Sequence, residues 1–431
     1  MISKTYKNGA TLIYRYSRRK HTSVTAGFFF GRNRDNYPDP TAHFCEHMFF
    51  KQTKNLTGQQ VSAKINKTLS SRNGRTGIKF TCIDFCRSNR IIEPCFDLSS
   101  ELLLNTKFSK KHIESEKGVI KQELTRALND PNIKLSCAIA QTFRDYYCSD
   151  TTVLGTPEEI DKMDAETLKK FQKECFISQN FFICIRGGIS YFKAKRLAEK
   201  YFIKKLNSNP EYPVDKSLTL ENNRPGNLNV AQFPLNKTWC NISIMIPSEY
   251  ENVKTLATIG LLRKISNSST GLIGLALRKK GLIYTSNIVS GVIAPNQSCL
   301  TLDFECASEN FNKIIDILGE KLESFANGEI SQDLIEEKKL NRKYENDECT
   351  QDSIYPNKDY LKYFRGRKVE LTNKFLKQYN KAFKKLTTED IQVFLKNILS
   401  KPENFYITIL SNKDASNFYT YKEIQKKLSI K

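Results

Sequence analysis

The chain has 431 residues, of which 39% are hydrophobic and 26% are charged, and its formal net charge is +22 at pH 7. That length exceeds what a single hydrophobic core organises, so we expect two domains of about 200 residues each. No stretch approaches the roughly 20 apolar residues that a membrane-spanning helix needs. The first residues also lack an apolar signal core, and we therefore expect a cytoplasmic protein with no membrane partner.

The excess of 68 Lys and Arg over 46 Asp and Glu has two explanations. It is a Lys-rich surface that keeps the protein soluble, or it attracts a substrate or partner of acidic character. Nucleic acid is not an expected partner, because no nucleic-acid-binding motif is present and the basic residues are spread along the sequence. The 12 cysteines form no Cys-x-x-Cys pair, which is typical of reduced, buried thiols.

The chain begins with two predicted β-strands, at 11–16 and 23–31, which are rich in β-branched and aromatic residues. A helix that contains His43 and His47 follows, and Thr57 is the predicted N-cap of the next helix, at 58–69. The remaining elements of the first half are predicted as a turn at 70–74, strands at 75–85 and 179–187, and helices at 91–104, 109–128, 133–147, 164–175 and 191–206.

His43 and His47 are four residues apart, so a helix places both imidazoles on one face, one turn apart. Two converging imidazoles make a divalent-metal site, and zinc is the usual occupant of nitrogen-rich sites. Glu46 lies at the edge of that face, where a carboxylate can take a proton from metal-bound water. The order His-x-x-Glu-His is the inverted zincin pattern. A metal-free histidine pair is the alternative, although the chain has only 4 His and half of them stand here.

The surrounding residues, Ala-His-Phe-Cys-Glu-His-Met-Phe-Phe-Lys-Gln-Thr, resemble the zinc motif of the pitrilysin/insulin-degrading-enzyme family, which includes mitochondrial processing peptidase and half-size bacterial members. Gln52 stands where that family usually has Gly. The family's third zinc ligand is a Glu about 76 positions beyond the second His, and Glu123 matches it. A carboxylate completes a His2Glu set and leaves one position for water. Glu116, two helical turns before Glu123, would orient the ligands.

The segment from Asn73 to Thr81 resembles the family's Asn-Ala-x-Thr-x4-Thr strand, with Gly74 in the place of the usual Ala. In the family, the edge of this strand pairs with the substrate backbone by strand addition. The resemblance therefore implies that Asn73, Gly74 and Thr76 contact the substrate. The residue types alone would equally suit an ordinary sheet strand.

The second half of the chain repeats the first in outline. Residues 389–394 echo 166–171, and 404–409 echo 180–185. We therefore predict an α+β fold with two homologous domains, each a mostly antiparallel sheet packed against helices, together forming half of a clamshell chamber. The second half contains no His, so it cannot carry the same metal site, and we expect it to bind substrate.

The predicted domain bounds are a catalytic domain at 1–206, a Pro-containing linker at 207–227 and a second domain at 228–431. In the second domain, Leu277-Arg-Lys-Lys-Gly-Leu-Ile-Tyr284 resembles the family segment whose Arg and Tyr hold the substrate carbonyl or stabilise the oxyanion. Arg278 and Tyr284 are the matching positions, and both side chains are good donors to developing negative charge. The alternative is a surface Arg and a half-buried Tyr.

The resemblance implies a zinc-dependent endopeptidase that holds one Zn²⁺ per chain and cleaves unfolded or short peptides. It also implies that two chains of this length pair, first as a homodimer with two composite sites, or else as a heterodimer with a related chain. Three alternatives stay open: a protease dedicated to one leader or precursor peptide, a catalytically silent partner subunit, and a basic binding protein. The complete set His43, Glu46, His47 and Glu123 argues against a silent subunit.

Overall fold

The computed structural model describes residues 2–31, 37–69, 71–77, 80–143, 153–209, 228–234, 236–267, 271–283, 288–292, 298–348, 369–412 and 415–430. The chain divides into two compact units, and each is described by itself. The first unit comprises 1–127, 151–217 and 348–373, and the second comprises 128–150, 218–347 and 374–431. This division is not contiguous in sequence, whereas the predicted bounds 1–206, 207–227 and 228–431 are. Within the described residues, no helix is long and apolar enough to cross a membrane.

The first unit contains one six-stranded sheet. Its strands are β1 (Ile2–Thr5), β2 (Thr11–Tyr16), β3 (His21–Phe28), β4 (Ser71–Thr76), β5 (Thr81–Ser88) and β6 (Phe181–Gly187). Their order across the sheet is β1-β2-β6-β3-β5-β4, which makes β4 an edge strand. Only the β2–β6 pair is parallel, so the sheet is mostly antiparallel.

Seven helices among the described residues accompany this sheet: α1 (Thr41–Met48), α2 (Gly58–Thr68), α3 (Glu93–Leu104), α4 (Lys110–Leu128), α6 (Pro157–Lys162), α7 (Ala165–Cys175) and α8 (Tyr191–Tyr201). Thr57 caps α2 with a reciprocal capping box, as its sequence position predicts. The core is rich in phenylalanine; Phe28, Phe44 and Phe181, for example, are completely buried. Burial of such large rings supplies much of the driving force for folding.

The structure corrects one sequence prediction next to the motif. A turn is predicted at 70–74 and a single strand at 75–85, but residues 71–76 form the strand β4, which pairs with β5 at 81–88. The Asn73-Gly74 pair has turn chemistry, yet Asn73 pairs with Asp84 and Gly74 with Ile83 in the ladder. The sheet therefore overrides the local turn signal of Asn73-Gly74.

The second unit contains a five-stranded sheet. Its strands are β7 (Leu228–Gln232), β8 (Thr238–Met245), β9 (Val289–Val292), β10 (Cys299–Cys306) and β11 (Phe405–Ser411), in the order β7-β11-β8-β10-β9. Its helices among the described residues are α5 (Pro131–Phe143), α9 (Val253–Ser266), α10 (Leu272–Lys279), α11 (Phe311–Ala326), most of α12 (Gln332–Glu348), most of α13 (Val369–Lys385), α14 (Thr388–Leu399) and α15 (Tyr421–Leu428). Helix α5 belongs here because it packs on β11 and β7, and the Thr142 hydroxyl lies 2.6 Å from that of Thr408.

The two sheets share one topology, which confirms the prediction of two homologous α+β domains. The order β2-β6-β3-β5-β4 matches β7-β11-β8-β10-β9, and in each sheet the first pair is parallel while the described others are antiparallel. The two sequence echoes fall on equivalent elements, α7 with α14 and β6 with β11. The repeated apolar pattern therefore reflects repeated tertiary structure.

Candidate metal centre

Helix α1 presents two different faces. Phe44, Cys45 and Met48 are completely buried and anchor the helix in the core. Burial raises the pKa of the Cys45 thiol well above its usual range, so this residue packs as a small apolar side chain. His43 and His47 stand on the other face, with ring centroids 4.5 Å apart. Spacing of four residues thus brings the two imidazoles together, as the sequence predicts.

Helix α4 brings a carboxylate to this pair. Glu123 Oε2 lies 3.8 Å from His43 Nε2 and 3.5 Å from His47 Nε2. One ligand atom from each of the three residues lies within 4.8 Å of the others, a cluster that can hold a metal ion. The three residues fit the His2Glu donor set of catalytic zinc sites, which have three protein ligands and an open position.

Glu116, which lies on α4 like Glu123, orients the imidazole of His47. The His47 Nδ1–H donates to Glu116 Oε2 at 2.8 Å, and Lys51 Nζ lies 2.5 Å from the other oxygen of that carboxylate. Because Nδ1 is engaged in this way, the other ring nitrogen of His47 is left to face Glu123. An anchored histidine of this kind is typical of metal sites.

The protonation of the two histidines differs. Burial, with the charge of His47, lowers the pKa of His43 to about 3, so its imidazole is neutral and able to bind a metal at pH 7. Burial also acts to lower the pKa of His47, but the hydrogen bond that His47 donates to Glu116 and the charges of Glu46 and Glu123 raise it overall. Three carboxylates around two histidines leave negative charge that a divalent cation would balance.

The side chain of Glu46, which belongs to α1, contacts the edge strand β4. Its Oε2 lies 3.9 Å from His43 Nε2 and accepts a hydrogen bond of 2.9 Å from the Thr76 hydroxyl. Burial raises the pKa of the Glu46 carboxyl, although the bond from Thr76 acts against that change. A Cβ atom added at Gly74 would lie 2.8 Å from Cγ and Cδ of Glu46, so the absence of a side chain at Gly74 leaves room for the carboxylate.

The three residues predicted to bind substrate all lie on β4. Asn73 is exposed, while Gly74 and Thr76 face Glu46. Sequence reasoning missed the neighbouring Arg75, which forms a salt bridge with the buried Asp84 of β5. The sequence contains little evidence for this contact, because an Arg and an Asp nine positions apart can be paired only once the register of β4 and β5 is known.

The predicted Arg278 and Tyr284 lie in the second unit. Arg278 is exposed in the last turn of α10, and Tyr284 falls outside the described residues. After this helix, the Gly281 N–H donates to the Arg278 carbonyl and the Leu282 N–H donates to the Leu277 carbonyl, with Gly281 at φ +67°. The Gly-Leu pair of the motif is thus a Schellman helix end, where the left-handed conformation favours glycine.

Comparison with known proteins places both halves of the chain in one group. Residues 31–153 match the family model described as insulinase (peptidase family M16). Residues 162–341 match the model described as the peptidase M16 inactive domain. The segment that contains His43, His47 and Glu123 and the His-free segment after it thus match two models of one peptidase family.

Curated relatives are distant and are matched over part of their length. The mitochondrial-processing peptidase subunit beta of Neurospora crassa is 27% identical over 203 residues, which are 46% of this chain and 42% of the relative. An uncharacterized zinc protease of Mycobacterium leprae is 21% identical over 293 residues, or 68% of this chain and 65% of the relative. The match thus spans less than half of the length of the Neurospora relative.

Solved structures share the fold over nearly the whole chain. A protease from Helicobacter pylori superposes with a TM-score of 0.78 at 18% identity, covering 95% of this chain and 98% of that one. The periplasmic protease PqqL from Escherichia coli gives a TM-score of 0.75 at 16% identity, covering 99% of this chain and 49% of that one. A chain of complex III2 from Candida albicans gives 0.74 at 13% identity, with 100% of both chains covered. At these identities the likeness establishes the fold alone.

Proposed function

Because the chain belongs to peptidase family M16, the insulinase family, we propose that it is a zinc-dependent endopeptidase that hydrolyses unfolded or short peptides. The observation that supports this most is the convergence of His43, His47 and Glu123, with Glu46 beside them. These are the three donors and the proton carrier that metal-dependent peptide hydrolysis needs. The names of relatives such as the zinc protease of Mycobacterium leprae agree with this proposal.

In this proposal His43, His47 and Glu123 would hold one zinc ion, which would supply Lewis acidity and lower the pKa of the attacking water. Glu46 takes the proton of the attacking water and returns it to the leaving amine. Its raised pKa suits both steps, because a group that both accepts and donates a proton works best near the operating pH. Thr76 keeps the carboxylate turned toward the histidines through its hydrogen bond.

The substrate would bind as an extended strand on β4. Within the described residues this strand pairs with β5 on one side only, so its other edge offers backbone donors and acceptors to a peptide. An unfolded or short peptide can adopt that extended form, whereas a folded domain cannot. Arg278 and Tyr284 are proposed as donors to the oxyanion, a role that rests on the family resemblance.

We further propose that the active form contains a second chain of this kind. Two relatives are named as beta subunits of a mitochondrial-processing peptidase, and one similar solved chain belongs to complex III2. A homodimer and a heterodimer with a related chain are both compatible with this proposal. So is restriction of the substrate to a single precursor peptide.

The test measures the zinc content of wild type and variants together with their cleavage of a mixed peptide library. Glu46→Gln should retain about one zinc per chain but lose about 10²–10⁴-fold in kcat, because the proton carrier is gone. Glu123→Gln should lose zinc and activity together. Glu114→Gln, on the exposed face of the same helix, is the matched control and should keep both.

Two results would contradict the proposal. Cleavage by Glu46→Gln at the wild-type rate would remove Glu46 from the reaction. Equal zinc content in wild type and Glu123→Gln would remove the proposed third ligand. Zinc binding without cleavage, relieved by adding a related chain, would select the heterodimer.

A further inference from the structure

One end of the sheet of the first unit brings together three loops that are far apart in sequence, each taken with the strand ends or the helix start beside it. These are residues 15–22, 86–91 and 186–196, which together are called the basic end below. Asn89 joins them: its Oδ1 accepts from the Thr22 hydroxyl at 2.7 Å, its Nδ2 donates to the Arg19 carbonyl at 2.7 Å, and its carbonyl accepts from Lys193 Nζ at 3.3 Å. The Ser17 N–H also donates to the Gly187 carbonyl at 2.9 Å. The loops therefore form one continuous surface.

The basic end is strongly cationic. Its three segments contain ten Lys and Arg and no Asp or Glu. Arg18, Lys20 and Arg90 are exposed, so their charges face solvent. Two acids at the rim of the basic end partly neutralise two of its cations: Glu93 lies 3.4 Å from Arg196 and 2.9 Å from Lys200, and Glu199 lies 3.8 Å from Lys195 and from Lys4. Within the described residues Arg18, Lys20 and Arg90 form no ion pair, so the surface keeps a positive potential around them.

Large apolar side chains also project from the basic end. Phe192 is 81% exposed, Tyr16 58% and Ile91 49%. These are three of the nine exposed large hydrophobic residues in the described part of the chain. Exposed apolar groups that gather in one place mark interaction surfaces, whereas single ones are common and need no explanation.

We propose that the basic end binds the surface of a membrane that contains anionic phospholipids. Lysine and arginine side chains contact the headgroups, and Phe192, Ile91 and Tyr16 enter the boundary between headgroups and acyl chains. A single-stranded nucleic acid would also satisfy the charges, but it binds by stacking bases on aromatic rings. Ile91 has no aromatic ring on which a base could stack, so its side chain suits contact with lipid acyl chains better than contact with nucleic acid. The sequence indicated no membrane partner, because only the fold gathers these residues.

The basic end lies away from the candidate metal centre. Along β3, His21 pairs with Ser88 at the basic end and Phe28 pairs with Thr81 at the other end, seven residues or about 23 Å further. Thr76, which binds Glu46, pairs with Thr81 at that far end. Membrane contact at the basic end therefore leaves the metal centre uncovered by lipid.

The test is co-sedimentation of the full chain with vesicles of phosphatidylcholine alone or with phosphatidylglycerol added. Wild type should bind the anionic vesicles at least tenfold more tightly, and added salt should weaken that binding. The triple variant Arg18→Glu, Lys20→Glu, Arg90→Glu should lose about 100-fold or more in affinity. Phe192→Ser should lose about tenfold through the apolar contact alone.

Matched controls separate this surface from general properties of the chain. Lys64→Glu, Lys67→Glu, Lys313→Glu changes the net charge equally at exposed positions elsewhere, and Val393→Ser removes an apolar residue that is 53% exposed. Both controls should bind like wild type, and circular-dichroism melting should show every variant folded. Equal binding to neutral vesicles, or equal losses in the controls, would overturn the proposal. So would binding of a single-stranded oligonucleotide at the basic end without binding of vesicles.

Discussion

Glu116 is the residue on which the orientation of His47 depends. It is 3% exposed, and burial by itself would raise its pKa, but the hydrogen bonds from His47 and Lys51 lower it overall. A buried carboxylate that stays ionised in this way fixes the imidazole and makes its other nitrogen a better ligand. The geometry of the metal centre thus depends on a residue that is itself no ligand.

We therefore predict that Glu116→Gln weakens zinc binding by about 10- to 100-fold, because the amide cannot supply the negative charge that steadies His47. Competition for zinc against a chromogenic chelator would measure this change. Glu114→Gln, two residues away and exposed, should leave the affinity unchanged. Equal affinities in wild type and Glu116→Gln would show that His47 needs no such support.

At the scale of elements, the two sheets carry a carboxylate at equivalent places on β5 and β10. Asp84 forms a salt bridge with Arg75 of β4. Asp303 accepts a hydrogen bond of 2.5 Å from Asn241 of β8 and one of 3.1 Å from Ser290 of β9, and both of these partners are neutral. Burial raises the pKa of Asp303, because neutral donors do not fully replace lost hydration.

This contrast predicts opposite effects for two identical substitutions. Asp84→Asn should cost about 3 kcal/mol of unfolding free energy, because it leaves the Arg75 charge without its partner. Asp303→Asn should be more stable than wild type at pH 7. The raised pKa means that native Asp303 retains a proton that the unfolded chain releases above about pH 4, so wild type loses stability as pH rises from there through the folded pKa.

Urea unfolding of both variants and wild type between pH 4 and pH 8 would measure these effects. The advantage of Asp303→Asn should grow as pH rises and be smallest at pH 4, where about half of the unfolded chains still hold the Asp303 proton. A loss of stability in Asp303→Asn as large as that in Asp84→Asn would refute the assigned difference between the two carboxylates.

At the scale of the whole molecule, the proposed zinc ligands all come from the first unit. Bound zinc should stabilise that unit by about 4 kcal/mol at a free concentration 1,000 times its dissociation constant. Removal of zinc by a chelator should therefore speed hydrogen exchange in α1, α4 and the β4–β5 hairpin. Peptides from β8 and β10, followed by mass spectrometry, serve as the internal reference. An equal increase in the reference peptides would show that metal stability is not confined to the first unit.

The sequence by itself determined the parts of this protein that depend on local spacing. His43 and His47 share a face because four residues make about one helical turn, and this holds in any tertiary context. The sequence also indicated that α7 corresponds to α14 and β6 to β11, because homologous elements keep similar apolar patterns. The distance along the chain to Glu123 pointed to a third ligand only through the family resemblance.

Tertiary structure alone decided the rest. The Asn73-Gly74 pair forms a strand, not a turn, because its backbone gains ladder hydrogen bonds to β5. In this strand the Thr76 hydroxyl reaches Glu46, and Gly74, which has no side chain, leaves room for the Glu46 carboxylate. The basic end was invisible in the sequence because its three loops are separated by as many as about 170 positions. Local sequence patterns indicate which side chains share a helix or strand. Long-range packing decides which helices and strands come into contact, so only the tertiary structure reveals a site that is built from several of them.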